Sequence, residues 1–444
     1  MSNIKYTLCL KNGQVMINDS LCSTNVYILD GRISVISDKN LDSDKTIDCT
    51  NLTVLPGVID SQVHFREPGL EGKETLESGM LAAASGGVTS IFEMPNTNPL
   101  TITPETIQDK LSRASKGAWT DYAFYLGGTM RTSSNLSDWE NLKGVCGIKI
   151  FMGASTGDLV TATDEEVESV VSNGRRVIAV HAEDQMIMDQ NQNSILGDSQ
   201  DVGMHCKWRS PESCLSATMR VVKLARKHNR RVHILHITTE EEMEFLSKNK
   251  DVASVELLAN HLTLHAPECY ERLGTLAQQN PPIRERKHQD ALWAALNSGV
   301  VDIVASDHAP HTLDEKSQTY PKSPSGTPGV QTLVPIMLNH VNNGKLALAK
   351  LVGLWSYGPE RIHKISNKGR IKEGYDADFT IVDMNKEMVI KNSQQRSKSK
   401  WTPYDGMKVK GWVTHTILRG NCVMQDDELL AKPIGQMVKF KETI

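Results

Sequence analysis

Two textures of apolar and polar residues alternate along the chain. Residues 1 to 56 carry short β-prone runs, YTLCL, QVMI, NVYILD, GRISVIS and LTVL, separated by the turn pairs Asn12-Gly13 and Asp30-Gly31. Asp-Gly between two apolar runs signals a hairpin, because glycine supplies the positive φ of a tight turn. From Pro56 the runs become LPGVIDSQV, VTSIFEM, DYAFYLG, VCGIKIF, RVIAVHA, RVHILHI, ASVELLAN and VDIVAS. Between them lie segments of helical spacing with a glycine stop, such as TLESGMLAAASGG and ALWAALNSG. Eight strand-helix units in about 310 residues predict a closed parallel barrel. From about Gly369 short strands return in IKEGYDADFTIVDM, EMVI and VKGWVTHTILRGNCV. Residues 1–56 are too few to bury such a sheet alone, and the returning strands supply the missing partner, so the two ends are expected to pair. The predicted fold is α/β: a (β/α)8 TIM-like barrel over residues 57–368, beside a small β-sandwich domain built from residues 1–56 and 369–444. The polar, basic stretch Lys391 to Lys400 reads as a solvated linker.

The reactive residues fall at the ends of the predicted strands. His64 follows the first, Asn96 the second, Lys149 lies in the fourth, His181 ends the fifth, His236 the sixth, His261 the seventh and Asp307 the eighth. In such barrels chemistry sits at the C-terminal rim, so this distribution predicts one shared site. Asp60, Gln62 and His64 alternate and would project to one side of a strand that can hold a metal. His181 and His236, at neighbouring strand ends, can share an ion. His233, an odd number of residues from His236, is expected to face outward. Arg66 follows His64 in a turn and could receive a carboxylate at two points. A bare ammonium on Lys149 amid apolar neighbours would be costly, so either a salt bridge or a carbamate able to bridge two cations must neutralise it. Asp307, in ASDHAPHT, reads as a metal ligand and proton acceptor, or as a plain N-cap. His308 and His311 are further candidates for positioning groups.

Composition narrows the partners. With 39% hydrophobic residues among 444 and a net charge of −4, the chain has a sizeable core and no field favouring nucleic acid or an anionic membrane. A small-molecule substrate is the default. Eight scattered cysteines without a Cys-x-x-Cys pair suit reduced thiols, and a cytoplasmic location is expected. No run reaches the roughly 18 apolar residues of a membrane span.

From about Val54 to Gly420 the sequence resembles the dihydroorotases of the amidohydrolase superfamily. The likeness rests on an ordered set: VIDSQVHFREPG, GGVTSIFEMPNTNP, GIKIFMG, HAED, HILHI, NPPIR, VASDHAPHT and SGTPGVQT. It implies a zinc-dependent barrel enzyme that interconverts dihydroorotate and N-carbamoyl-L-aspartate in pyrimidine synthesis. It further implies Lys149 as a carboxylated bridging ligand, His64, His181 and His236 as ligands, and Asp307 as ligand and proton shuttle. Arg66, Asn96 and His311 match positions that hold the substrate carboxylate, and Asn280 one that contacts the ring. A homo-oligomer, a dimer at the simplest, and association with an aspartate transcarbamoylase complete the expectation.

One position departs from the pattern. The first strand of the family ends His-x-His, whereas here Gln62 stands first. An amide oxygen is a neutral, weaker zinc ligand than imidazole, so the ion shared by His64 and Asp307 is expected to bind less tightly than the one at Lys149, His181 and His236. Two other readings accompany the first: another cyclic amidohydrolase such as an allantoinase or hydantoinase, and a catalytically silent homologue that scaffolds a transcarbamoylase.

Overall fold

The interrupted run VLPGVIDSQV is two strands in two sheets. In the computed structural model, which describes residues 5–155 and 159–441, the first sheet begins with β1 (Leu8–Ile17), β2 (Ser20–Leu29), β3 (Arg32–Ser37), β4 (Thr46–Asp48) and β5 (Thr53–Pro56). At Gly57 the chain crosses to the second sheet. A Cβ there would lie 2.3 Å from Thr89 Oγ1, so only glycine fits the crossing. The expected pieces YTLCL and QVMI are one strand, β1, with a register shift at Asn12-Gly13. The Asp30-Gly31 hairpin forms as expected, with φ of 50° and 76°.

Eight parallel strands follow: β6 (Val58–Val63), β7 (Val88–Glu93), β8 (Asp121–Gly127), β9 (Val145–Phe151), β10 (Ile178–His181), β11 (Val232–Ile234), β12 (Ala253–Leu258) and β13 (Ile303–Ala305). They pair in sequence order. The ring is closed by the bridge between Val63 and His308, where His64 N donates to His308 O at 2.7 Å. All of β6 to β13 is buried, since helices cover the outside and side chains fill the inside. Leu76–Ser85, capped by Thr75, and Arg286–Ser298, stopped by Gly299 at φ 87°, are the two helices anticipated above.

The chain then returns as β14 (Phe379–Val389), β15 (Lys408–Leu418), β16 (Asn421–Gln425) and β17 (Glu428–Leu429), and β14 pairs with β5. Both ends therefore form one nine-stranded sheet. It curls on itself: Ile33 of β3 shares a core with Phe379 of β14 and Ile417 of β15, although these strands are far apart in sheet order. At its junction with the barrel, Asp121, Asp376 and Asp378 converge closely enough to suggest a cation site. Its cation is already there. Lys368 Nζ lies 2.5 Å from Asp121, 2.5 Å from Asp378 and 3.1 Å from Asp376, and these charges outweigh burial and hold it protonated.

The segment after Met424, featureless in the sequence, crosses the barrel. Val438 N bonds Tyr122 O, and Val438 and Phe440 join the apolar cluster that fills the barrel with Ile59, Phe92, Tyr125 and Leu235.

Candidate metal centre and catalytic pocket

Each donor arrives from a different strand end. His64, just past β6, places Nδ1 2.7 Å from Asn96 Oδ1 and Nε2 3.1 Å from Asp307 Oδ1. With the Asn96 oxygen accepting, Nδ1 carries the hydrogen and Nε2 keeps its lone pair toward the mouth. His181 ends β10 and His236 lies two residues past β11; their Nδ1 and Nε2 are 3.1 Å apart. The other nitrogen of His181 lies 2.8 Å from Glu183 Oε2, and Arg209 grips Glu183 in turn. Burial favours the neutral Glu183 carboxyl, but Arg209 and His181 overcome it and keep it well below the usual range. A carboxylate behind a ligating imidazole fixes which nitrogen faces the ion.

Lys149 lies between these pairs on β9. Its Nζ is fully buried with no hydrogen-bond partner among the described residues, 4.3 Å from the centre of the Phe151 ring. Burial pushes the ammonium down to about 7, against the pull of Asp307 and Glu256. Gln62 Nε2 donates to Asp307 Oδ1 at 3.1 Å, and its buried Oε1 has no partner among the described residues. For Asp307 burial works upward, yet the hydrogen bond and charge of His64, with His236 and Lys149, hold the carboxyl below its usual range. Converging imidazole nitrogens, an ionised carboxylate, an orphaned amide oxygen and an unpartnered amine fit a divalent cation with mixed nitrogen and oxygen ligands.

Backbone strain aims these groups. Arg66, His236 and Asp307 have φ of 65°, 41° and 47°, where a residue other than glycine costs about 1–3 kcal/mol. Each follows a strand that has already ended, and the left-handed turn points the side chain into the mouth. This is why strand parity fails for His233. Leu235 and His233 both face the barrel interior, where His233 bonds Ser254 Oγ at 2.9 Å and is fully buried, the reverse of the outward position expected. Asp60 also leaves the alternation, because β6 bulges against β7; its carboxylate accepts from Ser306 N and Gln62 N.

Of the residues singled out from sequence, Gln62, His64, Arg66, Asn96, Lys149, His181, His236, Asn280 and Asp307 line one pocket, with Ser325 and Gly326 of SGTPGVQT beside them. His311 stands behind it. Its Nδ1 is 3.1 Å from Lys73 Nζ, and its Nε2 is 3.1 Å from Ser325 O and 3.3 Å from Arg66 Nη2, so it braces the guanidinium. His261 bonds Pro281 O from a short helix and does not line the pocket. Asp307 is not an N-cap; the next helix begins at Leu313 under Thr312. The Lys391–Lys400 stretch keeps Lys391, Arg396, Lys398 and Lys400 exposed, as a solvated linker would, but its other face packs inward. Ser397 and Ser399 are buried, Lys398 N donates to Glu74 Oε1 at 3.1 Å, and the adjoining Trp401 Nε1 donates to His311 O at 2.8 Å. Glu74 also meets His308, so this segment supports the loop that carries Asp307 and His311. Sequence reading missed Glu74 and Lys73, which no motif marks, and Glu183, which HAED displayed two residues after His181.

The chain belongs to the amidohydrolase family, whose description matches residues 53–423. Its relatives include the dihydroorotase of Pyrococcus abyssi, 36% identical over 430 residues that cover 96% of this chain and 97% of that one. The dihydroorotase of Methanosphaera stadtmanae is 33% identical, with coverage of 95% and 97%. Among solved structures, the L-hydantoinase of Arthrobacter aurescens superposes with a TM-score of 0.93 at 28% identity, covering 98% of this chain and 99% of that one.

Proposed function

We propose that the chain catalyses the reversible hydrolysis of the cyclic amide of (S)-dihydroorotate to N-carbamoyl-L-aspartate, the dihydroorotase step of de novo pyrimidine (UMP) synthesis. The relatives named above support it, and one observation discriminates it from a hydantoinase or allantoinase. Arg66 lines the pocket at 2% exposure, its Nε donates to Pro310 O, and among the described residues no carboxylate forms an ion pair with it. Burial lowers it only to about 10, so it stays charged. A buried guanidinium without a counter-ion is costly unless the ligand brings one. Dihydroorotate carries a carboxylate; the unsubstituted hydantoin and dihydrouracil rings do not.

In this reading Arg66 receives the carboxylate at two points with Asn96 beside it, His311 braces Arg66, and Asn280 contacts the ring. The metal, which we propose to be zinc, would be held by His64, Lys149, His181, His236 and Asp307; when bound it polarises the ring carbonyl and lowers the pKa of water. Water oxygen adds to the carbonyl carbon as Asp307 takes the proton. The carbon–nitrogen bond breaks, and Asp307 delivers that proton to the leaving nitrogen. Lys149, with a proton affinity low enough to leave much of it neutral near pH 7, is suited to form a carbamate with carbon dioxide. The reading carries with it a cytoplasmic homo-oligomer and a transcarbamoylase partner, which sizing and co-purification would test.

Arg66→Lys is expected to lower kcat/KM for dihydroorotate about tenfold or more, mainly through KM, because an ammonium cannot reproduce the planar two-point grip. Steady-state kinetics on dihydroorotate and on unsubstituted hydantoin decide it. A wild-type preference for hydantoin, or unchanged kinetics in the variant, would remove both the anchor and the assignment.

Gln62→His is expected to tighten the weaker of two metal positions without unfolding the barrel, since an imidazole replaces an amide at the pocket rim. Zinc titration with metal analysis reads this directly. Two equally tight ions in the unaltered protein, with neither affinity changed by the substitution, would refute the weak-site account.

A further inference from the structure

Asn280 is held from behind by a histidine that the metal centre does not use. His205 opens the short helix His205–Trp208 and is fully buried. Its Nε2 lies 3.0 Å from Asn280 Oδ1 and 3.0 Å from the backbone oxygen of Gln279, and its Nδ1 lies 3.3 Å from the Tyr320 hydroxyl. Two further bonds fix this frame. Arg284, at the end of NPPIR, donates from Nη1 to Cys206 O at 2.7 Å, which ties the helix to that segment a second time. Gln279 Oε1 accepts from Asn260 Nδ2 at 2.8 Å, so the residue before Asn280 is anchored as well.

These contacts allow one placement of the hydrogens. A backbone carbonyl can only accept, so Nε2 carries a hydrogen. Burial, with Arg209 nearby, pushes His205 down to about 3, so near neutral pH the ring is uncharged and Nδ1 is a lone pair that receives the Tyr320 O–H. A donor at Nε2 refuses an amide NH2. Asn280 therefore turns its oxygen to His205 and offers its Nδ2 hydrogens to the pocket it lines.

We infer that His205 is a positioning residue that locks Asn280 as a hydrogen-bond donor, so that the pocket selects a ring presenting a carbonyl oxygen there and refuses one presenting an N–H. This rests on the reading of Asn280 as the ring contact of a cyclic-amide hydrolase and adds to it the sense of the hydrogen bond. An amide fixed in advance gives up little freedom when the ring arrives. Turning it over to suit an N–H would set its NH2 against Nε2–H, so the wrong ring meets a penalty as well as a lost bond.

Steady-state kinetics of the full-length, metal-loaded protein test it. His205→Phe keeps a ring beside Trp208 and Tyr320, whose centres each lie 5.7 Å from the imidazole, and removes the donor. KM for dihydroorotate should rise about three- to tenfold, with kcat and metal content little changed. His205→Gln restores an N–H at similar reach and should recover most of that loss. In an Asn280→Ala background His205→Phe should cost nothing more, because it acts only through the amide. Asn280→Asp has the same shape but offers only acceptors, and should raise KM more than Asn280→Ala does. A wild-type KM in Asn280→Asp would show that the pocket is offered an oxygen, and an equal His205→Phe effect in both backgrounds would show that His205 acts elsewhere; either overturns the inference. Should His205→Phe misfold, the order of Asn280→Asp and Asn280→Ala decides alone. Hydantoin and dihydroorotate both carry ring carbonyls, so the same pattern is read on whichever ring the wild type turns over. Preference for hydantoin would thus refute the dihydroorotate assignment while these variants still decide the role of His205.

Discussion

Asp307→Asn is expected to leave a folded, metal-competent protein whose kcat falls by about 10²-fold or more, the loss that follows removal of a positioned proton carrier. Asparagine has the same shape and can still accept a hydrogen bond on Oδ1 from Gln62 Nε2, 3.1 Å away, so the barrel closure at His308 should survive. What it cannot do is take a proton from water and return it to the leaving nitrogen. The wild-type carboxyl is suited to that task because His64, His236 and Lys149 keep it ionised although its side chain is only 11% exposed. The loss should appear in kcat with KM little changed, since Arg66 and Asn96 still hold the substrate. Turnover within a few-fold of wild type at equal metal content would take Asp307 out of the mechanism.

Lys149→Met should abolish measurable turnover and metal retention while making the metal-free protein more stable near neutral pH. Methionine fills similar space, and the substitution removes a buried amine with no hydrogen-bond partner among the described residues. The sign follows from linkage. In the folded, metal-free chain burial pushes the ammonium down to about 7 from its ordinary value of 10.5, so the unfolded chain binds more protons between those limits. The penalty is full below about pH 7 and is relieved as pH rises toward 10.5. Metal-free wild type should therefore gain stability over that window, by a few kcal/mol in order of magnitude, relative to Lys149→Met. Denaturant melts of both proteins across pH 7 to 10 measure the difference. Identical pH profiles would show that Lys149 is solvated or paired, and retained zinc in the variant would show that it is no ligand.

Much of the fold was legible because barrel strands and helices write different periods. VTSIFEM, DYAFYLG and VCGIKIF are apolar on both faces, as strands covered by helices outside and side chains inside must be, and they became β7, β8 and β9. That His64, Lys149, His181, His236 and Asp307 share one rim follows from parallel strands alone, since successive strand ends then lie at the same end of the barrel. The split of LPGVIDSQV at Gly57 was less visible, because an apolar run reads the same whether it serves one sheet or two.

The sequence by itself determined the barrel, the pairing of the two chain ends and the residues that gather at the mouth. Each of these follows from local hydrophobic period and chain direction. Only the tertiary structure decided that Arg66 has no paired carboxylate among the described residues, that Glu183 and Arg209 stand behind the His181 ring, and that the Lys391–Lys400 stretch supports the catalytic loop. His233 and Asp60 were misplaced for the same reason. Their orientation depends on a bulge in β6 and on the left-handed turn at His236, local departures that a period of two cannot register. Charge neutralisation is likewise settled between residues tens to hundreds of positions apart, where pattern along the chain carries no information about distance in space.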